Sequence, residues 1–222
     1  MKTFLHVRPT SPASRRGFTL IELVASLAIM MVVAGLSMPY TMSMLRGSTF
    51  NLTLINIGQS VDLGRQHAIA NNTYTWVLLT EPVESDQTMY AAVMESRNGS
   101  DTLAWQTSAL NISALPDLRL VVAPAPMPAA KLSDTPESLP NMPDTGASTP
   151  GRWGKVNLQV TSGGKILTFT RALQFTPTGQ AMTSTTVARY IQMTVAGKNA
   201  TASQKAVVLI GGLTGKCQLY RP

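Results

Sequence analysis

At 222 residues the chain has room for one anchor helix and one globular head of about 150 residues, and not for a second core. One cysteine, Cys217, and two histidines, His6 and His67, exclude an intramolecular disulfide and a zinc site of ordinary spacing. The formal charge of +7 overstates the basic character, because Lys2, Arg8, Arg15 and Arg16 supply four of the positive charges before residue 18.

The N-terminal stretch sets the organisation. From Phe18 to Met38 an apolar run of 21 residues carries one charge, Glu22. As a helix it would be roughly 30 Å long, enough to cross a bilayer. An isolated carboxylate in lipid costs about 2.5 to 3.5 kcal/mol on insertion scales, so Glu22 needs a partner. Cleavage after Gly17 would create one: the new amine of Phe18 lies one helical turn from Glu22 on the same face. The four basic residues before the cut, with no acid among the first 17, predict a cytoplasmic N-terminus by the positive-inside rule.

Gly17-Phe18-Thr19-Leu20-Ile21-Glu22, followed by the apolar helix, resembles the cleavage and methylation motif of type IV prepilins and type II secretion pseudopilins. The resemblance implies that prepilin peptidase cuts between Gly17 and Phe18, that Phe18 is N-methylated, and that Glu22 pairs with the Phe18 amine of a neighbouring subunit during filament assembly. It further implies a single-pass inner-membrane protein with its head in the periplasm, whose partners are membrane lipid, the peptidase and other pilin subunits. A Sec signal peptide fits less well, because the apolar run is long and carries a glutamate. A plain membrane anchor gives no account of Glu22 beside Gly17-Phe18. Pro39 is read either as the helix exit or as a kink within a longer helix.

The next segment, 40–72, is predicted to continue the helix. Phe50, Leu54, Ile57, Val61, Gly64 and Ala68 recur at spacings of three and four and define one face for packing on the head. Asn71-Asn72 suits a left-handed helix end, and Gly47, Gly58 and Gly64 are candidate points of local melting. His67 reads as a surface residue of this helix.

From Thr73 onward the pattern is strand-like. Tyr74–Leu79, Met89–Met94, Thr102–Gln106 and Leu118–Val122 are short and rich in aromatic or β-branched residues, with an Asn98-Gly99 hairpin signal between the second and third. Residues 123–150 include seven prolines and are predicted to form an exposed, solvated loop, with polyproline-type partner binding as the lesser reading. A second block of strands covers Val156–Val160, Ile166–Phe175, Arg189–Val195, Ala206–Ile210 and Lys216–Tyr220, with turns at Ser162-Gly163-Gly164-Lys165, Thr176–Gly179 and Gly211–Gly215. The phrases Leu173–Gly179 and Gly212–Lys216 resemble the C-terminal strand-turn phrases of GspH/FimT-type minor pseudopilins, which implies a minor subunit.

The expected fold is therefore α+β: a long N-terminal transmembrane α-helix continuing into a periplasmic head of antiparallel β-sheet. Its divisions are a leader at 1–17, an assembly helix at 18–39, a periplasmic helix at 40–72 and the head at 73–222. Charge is uneven, with nine acidic and three basic residues between Glu81 and Asp144, then nine basic residues and no acid from Thr145 onward. Pairing of the two blocks is the simpler expectation. The alternative is a tip-located module that binds DNA or a secretion substrate, with Lys198, Lys205 and Lys216 as candidate phosphate contacts. No P-loop, Gly-x-Ser-x-Gly elbow or Gly-x-Gly-x-x-Gly is present, so no enzymatic activity, cofactor or metal is expected.

Overall fold

The computed structural model describes residues 18–82, 88–101, 110–111, 117–133, 135, 137–139, 141–143, 151–183, 188–197 and 205–222. The chain divides into two compact units, Met1–Met44 and Leu45–Pro222. One helix, α1 (Leu20–Asn71), contributes to both. Its first part, Leu20–Ser37, has a mean hydropathy of 2.2 and no buried residue, so it is long and apolar enough to cross a membrane. Pro39 does not end α1, which removes the helix-exit reading: a proline costs one backbone bond of a ladder that continues on both sides.

Within the second unit α1 meets the head along the predicted stripe. Leu54, Ile57, Val61 and Ala68 are fully buried, and Phe50 packs against the same core. Each large aliphatic side chain buried this way contributes about 1.5–3 kcal/mol. Gly64 is a contact point and not a site of melting, because a Cβ there would come within 2.5 Å of Val77 Cγ2. The helix ends where Asn72 takes φ 49°.

The head contains two sheets. The larger runs in the order β3 (Leu110–Asn111), β7 (Gly154–Ser162), β8 (Lys165–Phe175), β1 (Thr75–Thr80), β2 (Thr88–Ser96), β4 (Leu118–Pro128), with β9 (Ala181–Met182) also on β8. The smaller runs β12 (Cys217–Tyr220), β11 (Lys205–Gly211), β10 (Tyr190–Gly197), β5 (Ala130–Ser133), with β6 (Gly151–Arg152) also on β10. Pairing is antiparallel except for the two-residue contacts β3 with β7 and β6 with β10. Val77, Leu79, Val93, Leu173 and Phe175 from the first sheet, and Ile191, Met193, Val195, Val208 and Ile210 from the second, share one core with the α1 stripe. The alternate residues Trp76, Leu78, Ala92, Met94 and Phe169 form a second cluster on the other face of the larger sheet. Burial on both faces explains why β1 is apolar without alternation.

The Gly163-Gly164 turn is as predicted: with φ 58° and 77° it closes a two-residue hairpin in which Ser162 pairs with Lys165, and both dihedrals favour glycine. The candidate strand Thr102–Gln106, expected to follow the Asn98-Gly99 signal, lies outside the described residues; β2 pairs with β1 on one side and β4 on the other.

The proline-rich stretch is not a solvated loop in its described part. β4 extends through Pro124, Pro126 and Pro128, β5 follows after one residue, and the chain then lies against β10: Thr194 Oγ1 donates to the Thr135 carbonyl (3.0 Å) and Gln192 Nε2 to the Glu137 carbonyl (2.7 Å). Prolines at every second position place their missing N–H groups on one side of the strand, and β4 is an edge strand, where that loss disrupts no ladder. Residues 144–150 lie outside the described set.

Candidate assembly site and the charged head

Thr19, just before α1, caps it: the Glu22 N–H donates to Thr19 Oγ1 (3.3 Å) and the Leu23 N–H to the Thr19 carbonyl (3.2 Å). Thr19-Leu20-Ile21-Glu22 has the Thr-x-x-Glu spacing of a capping box, a signal that reading Glu22 for its charge alone overlooks. An acid in the first turn also suits the positive end of the helix dipole. Phe18 is 81% exposed, and the residues that follow are apolar on all sides, with Leu20, Ile21, Leu23, Val24 and Leu27 all exposed. A helix apolar all round needs lipid or other helices about it. The hydroxyls within it are satisfied locally, Ser26 by the Leu23 carbonyl (2.9 Å) and Ser37 by the Val33 carbonyl (2.6 Å). The Glu22 carboxylate, by contrast, has no partner among the described residues. Gly17, the residue before the expected cut, lies outside them.

Of the three lysines considered for phosphate contact, the two that are described lie apart. Lys198 lies outside the described residues. Lys205 begins β11 and pairs with Glu137 Oε1 at 2.5 Å, while Lys216 is exposed beside Gly211 at the other end of that strand, about 20 Å away by strand rise. Arg171 likewise reaches Glu81 (3.5 Å), so two members of the basic block face the acidic block.

His67 is corrected from surface residue to contact residue. At the end of α1 it lies over β2, with Nδ1 3.2 Å from Glu95 Oε2 and 22% of its side chain exposed. Glu95 is 5% exposed and also takes the Arg119 guanidinium from the facing position on β4.

The two C-terminal phrases, distant in sequence, meet on the helix at Arg65, a residue the sequence reading did not single out. Its Nε donates to the Thr214 carbonyl (2.8 Å), and the Ala181 N–H donates to the Gly212 carbonyl (2.7 Å). At Gly215 (φ 63°) a Cβ would lie 2.1 Å from the Gly179 carbonyl oxygen, so the two turns touch through backbone. Flanked by Gly64, Gln66 and His67, Arg65 carries no local signal for this contact in the sequence.

Residues 12–38 match a family described as the prokaryotic N-terminal methylation motif. No curated protein and no solved structure matches the chain.

Proposed function

From a chain that is type IV pilin-like and carries a prepilin-type N-terminal methylation motif over residues 12–38, we propose a minor pilin or pseudopilin, a structural subunit of a type IV pilus or type II secretion pseudopilus. The helix Leu20–Ser37 holds the precursor in the inner membrane as a single span, with the head in the periplasm. Prepilin peptidase cuts between Gly17 and Phe18, and Phe18 is then N-methylated. On leaving lipid for a bundle of like helices, Glu22 takes the Phe18 amine of a neighbouring copy. The supporting observation is a carboxylate with no partner among the described residues, on the otherwise apolar and exposed stretch Leu20–Ser37, one turn from the residue that becomes the N-terminus. Loss of one partner of such a desolvated pair costs several kcal/mol.

The test uses cells that carry the peptidase. Mass spectrometry of the recovered protein is expected to find an N-terminus at methylated Phe18. Gly17→Ala is expected to leave the leader attached, whereas Glu22→Ala is processed normally but fails to enter the filament fraction. Recovery of the uncut chain, or normal incorporation of Glu22→Ala, overturns the reading.

A further inference from the structure

Within the unit Leu45–Pro222, a cleft of about 420 Å³ opens where α1 ends against β2 and β4. Its floor is Glu95, buried and already engaged by Arg119 on one oxygen and by His67 on the other. That carboxylate is therefore not free to hold a cation. Asn71 Nδ2 lies 3.0 Å from each of the two ring nitrogens of His67, beside the contact of Nδ1 with Glu95.

The free groups around the cleft have the opposite character. Arg119 uses Nη2 on Glu95 while its side chain stays 58% exposed, so its fork is oriented from below and open above. Arg97 lies two residues beyond Glu95 and is anchored through its backbone, its N–H donating to the Asp117 carbonyl at 2.7 Å. Its exposed guanidinium has no ion-pair partner among the described residues. Two arginines thus line a cleft with one compensated acid, leaving an excess of one positive charge.

We propose that this cleft binds a carboxylate presented by another protein chain, an Asp or Glu side chain or a C-terminus, across Arg97 and Arg119. A planar carboxylate matches the guanidinium fork in two parallel hydrogen bonds. A phosphate dianion fits less well, because Glu95 beneath and the carbonyl end of α1 beside it repel two charges more than one. The Asn72 amide, at the left-handed residue that closes the helix, sits at the rim for a peptide group of the incoming chain. The assignment does not depend on filament assembly, since none of these residues belongs to the membrane helix.

The experiment is a titration of the full-length protein in detergent with N-acetyl-aspartate amide, N-acetyl-asparagine amide and inorganic phosphate, followed through the arginine side-chain N–H resonances. The expected result is weak, roughly millimolar binding of the aspartate compound that shifts the Arg97 and Arg119 signals, with the asparagine compound inert. Arg97→Gln, a change at an exposed side chain, is expected to weaken binding about tenfold. Glu95→Gln is expected to invert the order and favour phosphate. Equal response to the aspartate and asparagine compounds, tighter binding of phosphate by the unaltered protein, or unchanged affinity in Arg97→Gln overturns the proposal.

Discussion

Two glutamates show how setting decides the work of one side chain. Glu95 is buried and satisfied by Arg119 and His67, so it fixes the end of α1 to the sheet. Glu22 is exposed on an apolar helix and has no partner among the described residues, so its energetics belong to whatever it meets later. The identity of Glu22 as the exceptional residue was legible from sequence, because a lone charge in an apolar run stands out. That of Glu95 was not: its burial depends on strands that pair across 24 residues. Cys217 is the residue whose chemistry is most suppressed. Burial first, and then the charge of Asp62, push its thiol up from 9.0 to about 12. The folded protein is accordingly expected to react with a disulfide reagent at pH 8 much more slowly than the protein in denaturant. Because the folded value is the higher one, the corresponding stability is complete below pH 9 and is lost as pH rises toward about 12.

At the scale of elements, periodicity carried the α1 stripe from Leu54 to Ala68, and glycine chemistry carried the β7–β8 turn. Composition misled at Pro124, Pro126 and Pro128, where the even spacing of the prolines matters more than their number. Periodicity also placed Gly64 on the packing face, where its lack of a side chain lets the helix approach Val77 and Phe175. Gly64→Ala raises intrinsic helix propensity, yet the stiff β-branched Val77 cannot swing aside, so a net loss of about 1–3 kcal/mol is expected. Thermal unfolding of the full chain measures it, with a lower Tm as the outcome. Gly58→Ala serves as the comparison: its Cβ would meet only Leu219 Cδ1 at an ordinary 3.8 Å, and that change is expected to be neutral or slightly stabilising.

For the head as a whole, sequence indicated many short strands but not their division into two sheets around one helix stripe, since pairings such as β1 with β8 join residues almost a hundred apart. Local patterns do not encode that closure. The sheet edges follow from it. β4 ends its sheet, and the Tyr90 N–H turns away from it to Thr80 Oγ1 (2.9 Å), which leaves Pro126 opposite Tyr90 facing outward without a donor. Changing Pro124 and Pro126 together to valine restores two outward N–H groups, and concentration-dependent association by light scattering is the expected outcome; Pro128 is left in place because its outward carbonyl already accepts from Thr53 Oγ1 of α1. Main-chain zippering accepts any sequence, whereas side chains can tell one surface from another. A head that cannot be stitched to its twin along β4 therefore leaves the choice of neighbour on that side to contacts that discriminate.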